Sequence, residues 1–346
     1  MIEQGQGRHS RKPWRGDLPI ATIAELAGVS PPTVSKVLNG RSGVGEQTRQ
    51  RVEALLRDHG YRRQRTGGAT RCVEVVFHQM LPSIAMEILR GVQEIAGVRD
   101  HTVGFTDIRR RVLAGQPWVE SLLLRQPTAV ITAFALVTAE HGKRFAAAGI
   151  PLVAIDPSGD LSPTPAVGAN NWSGALAATR HLLDLGHRRI GVITGPGDDL
   201  SARARLDGFR AALDHADVPL DETLERRGVF SFDGGHELGR ELLARDAPPT
   251  AVVCGNDLQA LGVYAAARER GLRIPEDLSV VGFDDIDQAA WLSPPLTTVR
   301  QPFGEIGATA ARLALALADG GRLTQERYEL GTTLVVRGST APPAIR

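Results

Sequence analysis

The chain has 346 residues, 42% of them hydrophobic and 23% charged. That length implies two or three domains, and the composition excludes wholesale disorder. Apolar runs such as Thr128–Val137 are too short to cross a bilayer. The first residues show neither the apolar core nor the cleavage pattern of a secretion signal, so a cytoplasmic protein with no membrane partner is expected. Cys72 and Cys254 stand far apart and in no metal-ligand spacing, which predicts two reduced core thiols and no metal site.

The net charge of +1 hides an asymmetry. Residues 1–71 hold 13 Lys and Arg against 6 Asp and Glu, a net of +7; the rest of the chain holds 27 against 33, a net of −6. A basic head on a mildly acidic body suggests that the head meets a polyanion, the alternative being a merely solvated tail.

In chain order, residues 1–17 read as a disordered basic tail. Ile20, Ile23, Ala24 and Ala27 then fall on one helical face, and Gly28 offers the left-handed conformation that ends a helix. Ser30 is the expected N-cap of a second helix, its hydroxyl accepting from the Thr33 amide. Pro31 and Pro32 then occupy the first two helical positions, where a missing amide costs little. Val34, Val37 and Leu38 form that helix's apolar stripe, and a third helix buries Val52, Leu55 and Leu56. Two short helices with a glycine in the turn between them match a helix-turn-helix. The N-terminal turn of a recognition helix meets base edges, so Pro31 and Pro32 would make apolar contacts and Thr33, Ser35 and Lys36 polar ones.

The run "TIAELAGVSPPTVSKVLNGRSGVGEQTRQRVEALLRDHGY" resembles, without a gap, the DNA-binding head of the lactose-repressor (LacI) family of transcription regulators. The resemblance places base reading at Pro31, Pro32 and Lys36, beside the cap Ser30, and backbone contacts at Thr33, Ser35 and Asn39. It implies a helix-turn-helix domain over residues 18–62 and a hinge over 63–71. In that family the hinge folds on DNA and wedges leucines into the minor groove. Here "YRRQRTGGATR" has neither the usual Pro-Asn nor the leucines, and Gly67–Gly68 oppose a helix. Arg62, Arg63 and Arg65 would suit a narrow minor groove, or the segment is a flexible basic linker.

From Cys72 onward short β-branched strands ("CVEVVFH", "TAVITAF", "PLVAID", "RIGVITG", "AVVCGN", "LSVVGFDD") alternate with amphipathic helices, the pattern of a parallel sheet covered on both faces. Ligands bind such sheets beyond the strands' carboxyl ends. Asp156, Asn256–Asp257 and Asp284–Asp285 end three of these strands, and Arg203 and Arg205 open the helix after a fourth. Carboxylates and amides as acceptors, with a guanidinium fork as donor, suit a polyhydroxylated ligand, and Phe230 or Phe232 would cover a sugar's apolar face. Each residue has a structural alternative: Asp284–Asp285 or Asp257 as helix caps, Arg203 paired to Asp207. Together they favour a ligand site.

"HLLDLGHRRIGVITGP", "SARARLDGF", "GNDLQALGV", "GLRIPEDLSVVGFDD" and "PPLTTVRQP" are similar to the effector domain of the same family. That implies two periplasmic-binding-protein-like (type I) α/β lobes over residues 72–346, with a cleft between them. It places effector contacts at Asp156, Arg205, Phe230, Asn256 and Asp284, with His78 at the cleft entrance. Ala133 and Ala169 stand where some members carry polar or aromatic contacts. His187 in "GHRRIG" belongs to the scaffold. The resemblance implies a homodimeric repressor of a palindromic operator. Its allosteric control falls to a small-molecule effector, a mono- or oligosaccharide, and it has no cofactor. A transport-type sugar receptor lacks its signal here. An enzyme would need a nucleophile elbow, a metal cluster, a phosphate loop or a carboxylate pair flanking one bond, and the sequence shows none.

Overall fold

A computed structural model describes residues 19–38, 43–59, 70–135, 137–156 and 164–344. The chain divides between Ala69 and Thr70 into two compact units.

The first unit has three helices among its described residues: α1 (Ile20–Ala27), α2 (Pro31–Leu38) and α3 (Glu46–Asp58). Their apolar stripes meet in one core of Ile23, Ala24, Ala27, Val34, Val37, Leu38, Val52 and Leu56. Gly28 ends α1 at φ +66°, a conformation that would strain any residue with a Cβ. Pro31 and Pro32 open α2, whose first amide bonds run from Thr33 and Val34 to the Ser30 carbonyl. The Ser30 hydroxyl does not meet the Thr33 amide, as the sequence predicts, but pairs with the Thr33 hydroxyl at 2.9 Å. Asn39, most of the 63–71 hinge with its arginine at 65, and Arg62 and Arg63 lie outside the described residues.

The second unit alternates strands and helices. Its first stretch holds β1 (Thr70–Phe77), α4 (Pro82–Gly97), β2 (Thr102–Asp107), α5 (Arg109–Leu113), α6 (Val119–Arg125), β3 (Pro127–Ala133), α7 (Ala139–Ala147), β4 (Leu152–Ile155) and β5 (Ala166–Ala169). Next come α8 (Asn171–Asp184), β6 (Ile190–Thr194), α9 (Leu200–His215), β7 (Glu225–Arg227), α10 (Phe232–Leu243), β8 (Ala251–Cys254), α11 (Asp257–Glu269), β9 (Ser279–Asp284), α12 (Asp287–Trp291) and β10 (Thr297–Arg300). The chain finishes with α13 (Phe303–Ala318), β11 (Arg327–Leu330) and β12 (Thr333–Val335).

These strands form two six-stranded sheets, ordered β11-β5-β4-β3-β1-β2 and β12-β10-β9-β8-β6-β7. Every described strand pairing is parallel except β10 with β12. Each sheet carries its own helices and so makes one lobe. The chain crosses from the first lobe to the second after β5, returns after β10, and crosses again between β11 and β12. The first lobe's core joins the β1, β3 and β4 side chains to Ile84, Ile88 and Val92 of α4 and to Ile306, Ala310 and Ala314 of α13. There α4 and α13 touch backbone to backbone, because a Cβ on Gly91 would overlap the Gly304 carbonyl oxygen.

His187 is a scaffold residue, as its sequence context suggests. It is buried, its Nδ1 lies 2.8 Å from the Thr250 hydroxyl, and its Nε2 lies 2.9 Å from the Ala341 carbonyl. Burial holds its pKa below the usual histidine value. Cys72 and Cys254 are both free, and only Cys254 is fully buried.

Candidate functional site

The first surface of interest is the start of α2. Its stripe Val34, Val37 and Leu38 is buried, which turns Pro31, Pro32 and Lys36 outward. Ser30 is also exposed, while Thr33 and Ser35 are half-buried. An apolar step beside one flexible cation, with hydroxyls along its flank, is a surface that can enter a groove. Its prolines offer methylenes rather than hydrogen bonds, and its ammonium offers a donor.

The second is the cleft end of the two-lobed unit. Four non-glycine residues there have a left-handed backbone: Phe134 after β3, Asp156 after β4, and Asp284 and Asp285 at the end of β9. Backbone strain of this kind concentrates at functional sites, where the fold over-determines it. Asp156, at the carboxyl end of a first-lobe strand, lies within electrostatic reach of Arg205, Asp199 and Asp284 in the second lobe. The strand ends of both sheets therefore converge.

Arg205, on α9, is the centre of this cluster and 92% buried. Its Nε donates to Asn171 Oδ1 at 2.8 Å, and its Nη1 donates to the Gly255 carbonyl. The guanidinium stacks 3.9 Å from the centroid of the Phe283 ring and lies 5.5 Å from that of Phe230. Its Nη1 is 3.7 Å from Asp284 Oδ1. Asp284 Oδ1 also accepts from Gln301 Nε2 at 2.6 Å, and Gln301 Oε1 is left buried without a partner. Burial raises the Asp284 carboxyl to about 6, against the pull of Arg205 and Gln301. Burial raises Asp156 further, to about 7; the Asp199 and Asp284 charges add to it, and Arg205 and the Ala169 amide oppose it.

Asn256 is buried and caps α11, its side-chain oxygen accepting from the Gln259 amide at 2.9 Å. Phe230 is half-buried, its ring laid over Gly195 and Gly255 so closely that a Cβ on Gly195 would overlap it. Phe232 is exposed and stacks on His236 instead. Arg203 is exposed and donates to the Gly197 carbonyl, so it joins neither the cluster nor Asp207. Asp285 turns away from Asp284, to Arg300 and Arg337 at 2.7 and 2.6 Å. His78, just past β1, is half-buried, and its amide donates to the Ala133 carbonyl.

Sequence reasoning missed Asn171, Phe283 and Gln301. Asn171 follows another asparagine at a crossover, and Gln301 sits two residues before α13. Neither lies at a strand's carboxyl end as read from hydropathy. A separate cavity of about 280 Å³, between the end of α9 and the start of β6, is lined by Arg189, Leu213, Val218 and Asp221. It contains no residue of this cluster, and its Arg189 is paired to Asp221 at 2.7 Å. Among the described residues no group of His, Cys, Asp and Glu could hold a metal ion, and no helix is long and apolar enough to cross a membrane.

Comparison with known proteins places this geometry. Residues 20–64 match the bacterial regulatory proteins of the lacI family, and residues 179–340 match a periplasmic binding protein-like domain. A Streptomyces limosus protein named as an uncharacterized HTH-type transcriptional regulator in the aml 5′ region is 37% identical over 342 residues, 93% of this chain and 94% of that protein. A solved complex of the transcriptional regulator CelR with cellobiose is 32% identical and covers 93% of this chain and 99% of its own, with a TM-score of 0.70. The lac repressor dimer, solved on its operator with the anti-inducer ONPF, is 30% identical and covers 95% of this chain and 100% of its own, with a TM-score of 0.69. The chain thus belongs to the lacI family of bacterial regulatory proteins, as a DNA-binding transcription regulator rather than an enzyme.

Proposed function

We propose that the protein is a cytoplasmic repressor that binds a palindromic operator as a homodimer and loses or gains that affinity when a neutral sugar occupies the cleft. The observation that carries the reading is Arg205: a buried guanidinium, fixed by Asn171 and Gly255, facing carboxylates of both lobes. Such a fork donates to ring hydroxyls, Asp156 and Asp284 accept from them, the Asn256 amide adds a donor, and the Phe230 ring covers an apolar sugar face. His78 stands at the entrance. The cellobiose held by a protein of similar fold supports a mono- or oligosaccharide. The operator-bound dimer of another supports two heads on a twofold axis, since one short helix reads only a few base pairs.

In the head, base reading falls to Pro31, Pro32 and Lys36, beside the cap Ser30, and Thr33, Ser35 and Asn39 hold the DNA backbone. An effector that binds the two forms of the body unequally shifts operator affinity by that difference and no more. The test is selection of DNA from a random pool by the full-length protein, with and without a panel of mono- and disaccharides. A palindrome recovered without sugar and lost with one of them is the expected result. Selection of no sequence, or of one indifferent to every sugar, would overturn the reading.

A further inference from the structure

Asp257 takes no part in the reading above, yet among the described residues of the body no carboxyl is less exposed. It is fully buried at the first position of α11, one residue after the cap Asn256. Its Oδ2 accepts from the Ile286 amide at 2.9 Å, and its Oδ1 meets the Thr298 hydroxyl at 2.5 Å. Gly282 on β9 makes room for it, since a Cβ there would overlap Oδ1. The residue therefore ties three elements together: the start of α11, the turn after β9, and β10. That turn carries Asp284 at φ 118° and Asp285 at φ 59°, a backbone that does not hold itself in place.

We propose that Asp257 is a positioning residue, whose carboxyl, clamped between the Ile286 amide and the Thr298 hydroxyl, fixes the left-handed turn that aims Asp284 into the cleft. The role rests on the sugar-binding reading for its purpose, but its geometry can be tested without a ligand. The carboxyl is shut off from solvent. Burial pushes its pKa well above the usual carboxylate value, the Asp284 and Asp285 charges push the same way, and the bonds from Thr298 and Ile286 oppose them. The other titratable groups around it are the Cys254 thiol and the Tyr264 phenol, both raised and so uncharged at neutral pH. The nearby cations are engaged elsewhere: Arg205 beside Asp284, and Arg300 and Arg337 on Asp285. One carboxyl oxygen accepts from the Ile286 amide and the other from the Thr298 hydroxyl. An asparagine keeps one acceptor oxygen and so one of the two bonds; a leucine keeps neither.

The experiment compares the full-length protein with Asp257→Asn and Asp257→Leu. The first readout is hydrogen exchange of the 284–287 backbone. Asp257→Leu should speed it at least 10-fold and Asp257→Asn by less, with β1 and β3 unaffected. Equal exchange in all three proteins would overturn the positioning role. The second is the unfolding constant against pH. An acid whose pKa is raised by folding destabilises the folded form progressively as pH rises above its unfolded pKa. The unfolding constant of wild type relative to Asp257→Asn should therefore rise with pH. A ratio independent of pH would overturn the raised pKa.

The third readout is operator release by the sugar that the selection identifies. Asp257→Asn should shift the wild-type midpoint less than Asp257→Leu does. Asp257→Leu should raise it at least 10-fold without changing operator affinity in the absence of sugar, and an unchanged midpoint would overturn the proposal. If Asp257→Leu fails to fold, Thr298→Val removes one of the two bonds and is expected to raise the midpoint 3- to 10-fold. If no sugar releases wild type, the sugar reading fails, while exchange and the pH ratio still decide the role of Asp257.

Discussion

Arg205→Lys separates charge from shape at the centre of the cleft. Arginine holds two protein acceptors, Asn171 Oδ1 and the Gly255 carbonyl, while lying flat on the Phe283 ring, and its fork still faces Asp284. Lysine keeps the positive charge that the two carboxylates require but carries a single nitrogen. Its three donors radiate from one point, so it cannot span the two acceptors that Nε and Nη1 reach and still offer a planar fork to a ligand hydroxyl. One hydrogen bond to a charged group is worth about 1.5–3 kcal/mol. Its loss from the bound complex should weaken the effector about 10- to 150-fold, at about 1.4 kcal/mol per tenfold. A comparable loss within the free protein should lower its stability by about 2 kcal/mol. The assay is release of a fluorescently labelled operator by the effector, followed by anisotropy, beside a denaturant titration of the same protein. Operator affinity without effector should stay within about threefold of wild type. A midpoint for release within threefold of wild type would show that the fork does not touch the ligand.

Lys36→Ala should weaken binding to the selected operator more than binding to random DNA, and equal losses in a competition assay would mean that Lys36 touches only phosphate. Phe230→Ala should cut effector affinity about 10-fold in the same release assay, since it removes the ring over Arg205; an unchanged midpoint would move the stacking surface elsewhere. Gly91→Ala forces α4 off the α13 backbone and should cost about 1–3 kcal/mol in a denaturant titration, and a neutral result would mean that the two helices slide freely. Sugar hydroxyls donate to carboxylates, so binding should release protons from Asp156 and Asp284, whose pKa values stand at about 7 and about 6. Effector affinity should therefore rise from pH 5.5 to 7.5, and calorimetry in buffers of different ionisation enthalpy checks it. Stability runs the other way: both folded pKa values are raised, so their contribution is complete at low pH and is lost as pH rises to about 7.

Local pattern made much of this legible. The head could be read almost residue by residue because each of its helices is amphipathic and ends on a recognisable signal, such as Gly28. Asp156, Asn256 and Asp284 were visible because hydrophobic strands stop at them. Arg205 stands two residues from Arg203 on α9, so the two point to nearly opposite faces, and periodicity alone could not say which face meets the cleft. The fold chose, by turning Arg205 inward against Asn171, a residue 34 positions away. Asn256, visible at a strand end, is a buried cap of α11. Asp257, by contrast, does not cap, because its partners arrive from elsewhere in the fold, Ile286 from the turn after β9 and Thr298 from β10. Long-range partners of this kind leave no local trace. The crossovers are equally silent, for nothing in α13 or β11 announces that they belong with β1 and β5 rather than with their neighbours in sequence.

Those crossovers set the order in which the protein can be finished. The first lobe opens with β1 at Thr70 but takes its packing helix from residues 303–318 and an edge strand from 327–330. A ribosome that has made the first 300 residues has therefore produced neither lobe whole: one lacks α13 and β11, the other β12. An early stop codon late in the gene consequently leaves no half-regulator with an intact ligand site. Folding of the body must wait for nearly the last of the chain to emerge, and until then its apolar strands depend on the cell's chaperones.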